Sequence, residues 1–235
     1  MPPDFDDIYQ RACDRKAGPQ ALAKLLSKPR SNRTLKATPD DRFLAEFSKK
    51  VFQSGFVWRV VEQKWEGFET LFWNFDIDKL LLMPDDMLER KAQDPAIIRN
   101  FRKVRSIRDN ALMISDIRRK TGKSFACFVA DWPSEDITGL WRYLKAKGTR
   151  LGGNTGPFAL RTLGVDTFLF TRDVEYFLRH HRVISSGLWA QRSLRASQDY
   201  FNGLREESGR SLTELSQLIA LSVGQNRAGE SRVTS

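Results

Sequence analysis

The chain has 235 residues, 40% of them hydrophobic, and a formal net charge of +10 with a pI near 9.8. That length buries one large core or two small ones. No apolar run is long enough to cross a membrane, and the acidic start MPPDFDDIYQ lacks the apolar stretch of a signal peptide. The reading is a cytoplasmic protein, nucleoid-associated if the source is bacterial. Its excess positive charge favours a polyanionic partner, nucleic acid before an anionic membrane surface.

In chain order, residues 4–27 read as one or two helices broken at Gly18-Pro19. Residues 28–40, KPRSNRTLKATPD, read as a polar, basic linker. Asp40 or Asp41 then caps a helix whose apolar stripe is Phe43, Leu44, Phe47, Val51 and Phe52, and Gly55 ends it. A second helix from Phe56 carries Trp58, Val61, Trp65 and Phe68. FDIDKLLLMPDDMLERKA gives two short helices, with Pro84 in the first turn of the second.

Residues 95–119 form the longest helical pattern, with Ile97, Ile98, Phe101, Val104, Ile107, Ala111, Leu112 and Ile114 apolar. Arg99, Arg102, Lys103, Arg105 and Arg108 occupy its other faces. A helix from Ser134 to Lys147 closes at Gly148. The glycine-dense stretch LGGNTGPFALRTLG follows at 151–164, then TFLFTR, the best strand-like run, and DVEYFLRHH, a helix. Residues 188–222 give two more helices, and the polar tail from residue 223 is expected to be disordered. The fold class is all-α. The expected organisation is an N-terminal helical extension and linker at 1–39, one domain at 40–222, and the tail at 223–235.

Cys13 and Cys127 are the only cysteines and stand far apart, so both are expected free and reduced. The only histidines, His180 and His181, are adjacent and point to different sides of a helix, a poor ligand pair. No metal and no cofactor is expected.

Residues 41–119 carry an ordered set of marks: FQSGFVW with Gln53, Gly55 and Trp58; Lys64 with Trp65 and Phe68; Phe75-Asp76; and IIRNFRKV followed by RDNA, with Ile98, Arg99, Lys103 and Asn110. In this order and spacing they resemble the DNA-3-methyladenine glycosylase I family, and the resemblance extends over about residues 40 to 180. LGGNTGPFALRTLG is in turn similar to the helix-hairpin-helix turn of DNA glycosylases. Leu151, Gly153 and Ala159 fall at matching positions, Gly152 replaces a proline and Thr155 a glycine. Glycines there permit positive φ and close approach of a DNA backbone, and amides at a helix start face a phosphate without reading sequence. The resemblance therefore assigns phosphate contact to Gly152, Gly153, Asn154, Thr155 and Gly156.

It also implies an all-α helix-hairpin-helix glycosylase that flips a damaged, alkylated base out of double-stranded DNA and hydrolyses its N-glycosidic bond, with no membrane partner and as a monomer. Aromatic faces replace the stacking an extruded base loses. Trp58, Phe52 and Phe56 are the candidates, Trp58 occupying the position of the family's pocket tryptophan. Gln53, Lys50 and Glu46 complete the expected pocket.

Two departures stand out. The family's zinc-binding cysteine and histidine motifs are missing, so no metal is carried over. Its pocket glutamate, eight residues before the tryptophan, is Lys50 here. A lysine repels a cationic methylated adenine that a carboxylate attracts. Glu46, one turn earlier on the same face, either neutralises Lys50 or takes over the acid's role. In the wider superfamily a catalytic aspartate follows the hairpin at the start of the next helix. Asp173 is near the expected separation. Asp166, in the triplet VDT, lies closer and reads as a turn residue. The lysine of bifunctional members falls at Pro157, which has no amine, so a monofunctional enzyme is expected. Two other readings are a catalytically silent DNA-binding relative and a helical protein-interaction module.

Overall fold

The structure is a computed structural model that describes residues 2–224, all-helical and without strands among those residues. The tail expected to be disordered lies, from residue 225 on, outside the described residues. The chain forms two compact units. One comprises residues 30–133 and 139–165, the other the described residues 2–29, 134–138 and 166–224. The division is not linear in sequence, because the N-terminal helices share a unit with the C-terminal ones.

The first unit is built on the helices Asp40–Gln53 and Phe101–Thr121. Phe43, Leu44, Phe47, Val51 and Phe52 recur at helical spacing and are fully buried. Val104, Ile107, Ala111 and Ile114 supply the facing stripe. Phe125 closes the core by meeting Phe43 and Phe47 edge-on, at centroid distances of 5.5 and 5.8 Å, an arrangement that sets ring edge against ring face.

Several element expectations change here. Pro39, not Asp40 or Asp41, precedes the first of these helices. The Asp40 carboxylate instead reaches the helix Phe125–Ala130 and accepts from the backbone N–H groups of Phe125 and Ala126, both at 3.0 Å. The linker at 28–40 holds a short helix, Asn32–Lys36, which Ser31 caps and Leu35 anchors in the core. The segment after Phe56 is two helices, Trp58–Gln63 and Trp65–Leu71. The second runs so close to Ala96 that a Cβ on Gly67 would sit 2.4 Å from the Ala96 carbonyl oxygen. The long helix starts at Phe101, not at 95, because Asn100 caps it by accepting from Lys103 N–H. Ile97 and Ile98 are buried all the same, in the irregular segment before it. Pro84 precedes its helix rather than opening it.

In the second unit the helices Phe5–Arg15 and Leu212–Ser222 pack together, and the helix Gln191–Ser208 joins them. Residues 167–171 of the strand-like run TFLFTR have no regular secondary structure, and Arg172 opens the next helix. Thr167, Phe168, Leu169 and Phe170 are all buried, with Phe168 stacked on Phe201 at 4.2 Å and 3°. Tyr200 donates to the Pro3 carbonyl at 2.7 Å, and its burial pushes the phenol pKa upward. Ser211 and Glu214 form a capping box on the last helix.

Candidate nucleic-acid interface

The C-terminal half of the Asp40–Gln53 helix and the turn after it gather most of the expected pocket residues. Glu46 and Lys50 lie one helical turn apart and form an ion pair at 3.1 Å, their side chains only 15% and 12% exposed. The approach is off the hydrogen-bond direction, and Glu46 Oε1 is buried without a hydrogen bond. Lys50 Nζ donates to Gln53 Oε1 at 3.0 Å, and Gln53 Nε2 donates to Glu62 Oε1 at 2.9 Å. Lys49 completes the row with an ion pair to Glu62 at 2.7 Å. Four charges of alternating sign and one buried amide are thus tied together. Glu62 and Lys49 escaped the sequence reading. The signal for Glu62 was its place four residues after Trp58, on the same helix face.

Trp58 opens its own short helix and is 55% exposed, so it is not a core residue. The Lys50 ammonium stands over its ring, 5.4 Å from the centroid, within cation–π range. Phe52, by contrast, is fully buried and belongs to the core, whereas Phe56 and Val57 are exposed. The Gln53–Trp58 turn is held from below by Lys103. Expected on an outer face, Lys103 is instead buried and donates to the carbonyls of Phe52 at 3.2 Å and Ser54 at 2.6 Å. It sits where the helix presents its unpaired carbonyls and partial negative charge. Burial lowers its pKa, and the nearby Arg150 charge lowers it further.

The glycine-dense stretch forms a helix–turn–helix, with Ile137–Lys147 before the turn and Thr155–Leu163 after it. The turn contains left-handed residues at Arg150 (φ 64°) and Gly153 (φ 60°). Two glycines are required for space: a Cβ on Gly148 would lie 2.6 Å from the Leu151 side chain, and one on Gly156 2.6 Å from the Leu151 carbonyl oxygen. Gly153 has nothing within 4 Å of its Cβ position, so the turn is open there. Gly152, Gly153, Asn154 and Thr155 all reach the surface. Gly156 does not fit its expected role. It is buried, and its N–H donates internally to the Leu151 carbonyl at 3.2 Å. Its contribution is close packing.

Asn110 fixes the turn to the long helix. Fully buried, it accepts from Thr149 N–H at 2.8 Å and donates to Thr149 O at 3.1 Å. Asn110→Ala leaves the partly buried carbonyl and N–H of Thr149 without these partners. The expected cost is roughly 1–3 kcal/mol, read by denaturant unfolding as a lower midpoint at unchanged slope.

The two aspartates lie in the other unit. Asp166 Oδ1 and Oδ2 accept from the N–H groups of Thr213 at 2.8 Å and Leu212 at 3.2 Å, which makes it a cap for the last helix. Asp173 occupies the first turn of the helix Arg172–His180, but the cap there is Thr171, which accepts from Val174 N–H. The Asp173 carboxylate lies against Gly224, whose Cβ position is 2.7 Å from Oδ1. Among the described residues no cluster of three or more His, Cys, Asp or Glu side chains suits a metal ion, and no helix is long and apolar enough to cross a membrane.

Residues 36–149, which contain the charged row, Trp58, the long helix and the first hairpin helix, match the family model described as methyladenine glycosylase. That segment, just under half of the chain, is similar to the methyladenine glycosylase family. Comparison with curated proteins gives no match. Among solved structures, the chain is similar to the Methanocaldococcus jannaschii 8-oxoguanine glycosylase/lyase in complex with a 15mer DNA containing 8-oxoguanine. The two are 16% identical with a TM-score of 0.50, over 91% of this chain and 95% of that one. It is also similar to 3-methyladenine DNA glycosylase I from Staphylococcus aureus, at 20% identity and a TM-score of 0.49, over 66% of this chain and 92% of that one. The all-helical fold is thus shared with that 8-oxoguanine glycosylase/lyase, and the segment that matches the methyladenine glycosylase model covers Glu46, Lys50, Gln53 and Trp58 and the helix before the glycine-dense turn.

Proposed function

We propose that the protein is a monofunctional DNA glycosylase acting in base excision repair. In this reading it extrudes a damaged base from duplex DNA and hydrolyses its N-glycosidic bond as a monomer. The observation that carries the proposal is Trp58: a half-exposed indole within the family-matched segment, its face overhung by a polar row fixed by hydrogen bonds. An indole face of this kind takes up the stacking that an extruded base loses. Lys50 stands over this ring, and Gln53 and Glu46 are tied to Lys50.

The hairpin grips the backbone in this reading, through the open turn at 152–155 and the exposed arginines Arg99, Arg102 and Arg105 of the long helix region. Phosphate contacts release counterions, so duplex affinity falls as salt rises. Asp173 supplies the carboxylate that stabilises the sugar cation and orients water. Pro157 stands where a lysine would form a Schiff base, which favours simple hydrolysis.

The test is single-turnover incubation with duplexes carrying methylated, oxidised or deaminated bases, scored for abasic sites. Release of at least one lesion, with salt-sensitive duplex binding, is the expected result. Salt-sensitive binding without release of any lesion establishes the catalytically silent alternative, which the pairing of Glu46 with Lys50 favours because it occupies the pocket carboxylate on the Lys50 helix.

A further inference from the structure

We infer that Lys50 makes this site selective for neutral damaged bases that carry a hydrogen-bond acceptor, and against cationic ones. The inference rests on Trp58 being the stacking platform of the proposed glycosylase.

The geometry is specific. The Lys50 ammonium is the charged group over the Trp58 ring, at 5.4 Å from its centroid. Its side chain is 12% exposed, so water screens it poorly. Two restraints hold it there, the hydrogen bond to Gln53 Oε1 at 3.0 Å and the ion pair with Glu46 at 3.1 Å. Gln53 is itself buried and tied to Glu62. An ammonium has three N–H donors. Gln53 takes one and Glu46 constrains the nitrogen, which leaves donor capacity for a base on the ring.

Glu46 does not cancel this preference. It lies one helical turn farther from the Trp58 end of the helix, and its Oε1 is buried. A base entering over the indole therefore meets the cation first. A carbonyl oxygen or unprotonated ring nitrogen accepts a charge-assisted hydrogen bond from it. A base with a fixed positive charge meets repulsion and competes with the ammonium for the same ring face.

Recognition is separated from cleavage by using 2′-fluoro duplexes, whose glycosidic bond resists hydrolysis. One duplex carries hypoxanthine, neutral with a carbonyl acceptor, and the other 1-methyladenine, a cation at neutral pH. Both lie opposite thymine. The wild-type chain is expected to bind the hypoxanthine duplex about tenfold more tightly, the scale of one charge-assisted hydrogen bond. Lys50→Met keeps the stem and removes the charge, and should bring the two affinities within about twofold. Lys50→Glu should invert the order. Circular dichroism checks that each variant is folded, and the Met variant carries the test if the Glu variant is not. Equal affinities in wild type, or the same ratio in wild type and Lys50→Met, would overturn the inference. Base release from unmodified duplexes is scored separately. A Lys50-dependent binding preference without any release sinks the proposed activity and leaves this inference standing, whereas release with no such preference does the reverse.

Discussion

Asp173→Asn should lower single-turnover base release by roughly a hundredfold to ten-thousandfold, the range for a positioned acid–base group, while duplex binding stays near the wild-type value. The substitution is nearly isosteric. Thr171, not Asp173, caps the helix, so the helix start keeps its hydrogen bond to Val174. Loss of rate is then attributable to chemistry. Asp166→Asn should behave differently. That carboxylate accepts from two backbone N–H groups at the start of the last helix, and the amide has only one oxygen to offer. Stability should fall by about 1 kcal/mol with little change in release by the folded fraction. If Asp166→Asn abolishes release and Asp173→Asn does not, the VDT triplet carries the chemistry. If only Glu46→Gln abolishes it, the acid belongs to the Lys50 helix and acts beside Trp58.

The second large effect separates two glycines of the hairpin. Gly156→Leu drives a Cβ to 2.6 Å from a backbone carbonyl, which cannot move aside without opening the turn. Overpacking of this kind costs about 1–3 kcal/mol, and duplex binding should be lost together with stability. Gly153→Val meets no atom within 4 Å but must hold φ near 60°. That backbone costs a side-chain-bearing residue about 1–2 kcal/mol, so the protein should remain folded. It places a branched side chain on the open turn, where a phosphate must approach, and affinity should drop about tenfold or more. Thermal unfolding and salt-dependent binding measured on both variants distinguish the cases. If Gly153→Val binds duplex as tightly as wild type, the turn is not the phosphate contact.

The helices were legible where burial is one-sided. The Phe43–Phe52 stripe and the 104–114 stripe announced themselves through their 3.6-residue period, and the structure buries both except at Leu112, which is exposed, as is Phe101 just before the second stripe. The hairpin glycines were legible as a turn, but not their division of labour. Whether a glycine serves φ or space depends on Leu144 and Leu151 nearby, and no local pattern encodes that distance. Asp40 and Asp166 read as a local cap and a turn residue because the backbone amides they satisfy lie 85 and 46 residues farther along the chain. TFLFTR reads as strand-like because a short apolar run suits a buried segment whether or not a neighbouring strand exists. At the candidate site, Glu46, Lys50 and Gln53 could be grouped from their spacing on one helix. Glu62 could not be joined to them, because a turn separates two helices whose mutual angle the sequence does not state. Lys103 was placed on a solvated face since lysines are rarely buried. What buries it is the carbonyl end of another helix.

The Asp40 carboxylate has a consequence for the order in which the first unit assembles. It spans 85 residues to complete the start of a helix only six residues long. A segment that short does not hold helical structure alone. Residues 125–130 therefore reach their final state only after the chain has closed a long loop onto the Asp40–Gln53 helix, and loop closure of that span is an early entropic loss recovered late. During synthesis the N-terminal part of this unit emerges with Asp40 exposed and Phe43 and Phe47 still lacking Phe125 as a neighbour. The aromatic core becomes complete only when residue 125 arrives, so the same contact that aligns the short helix also marks the point at which the nascent unit stops presenting bare phenylalanine to its surroundings.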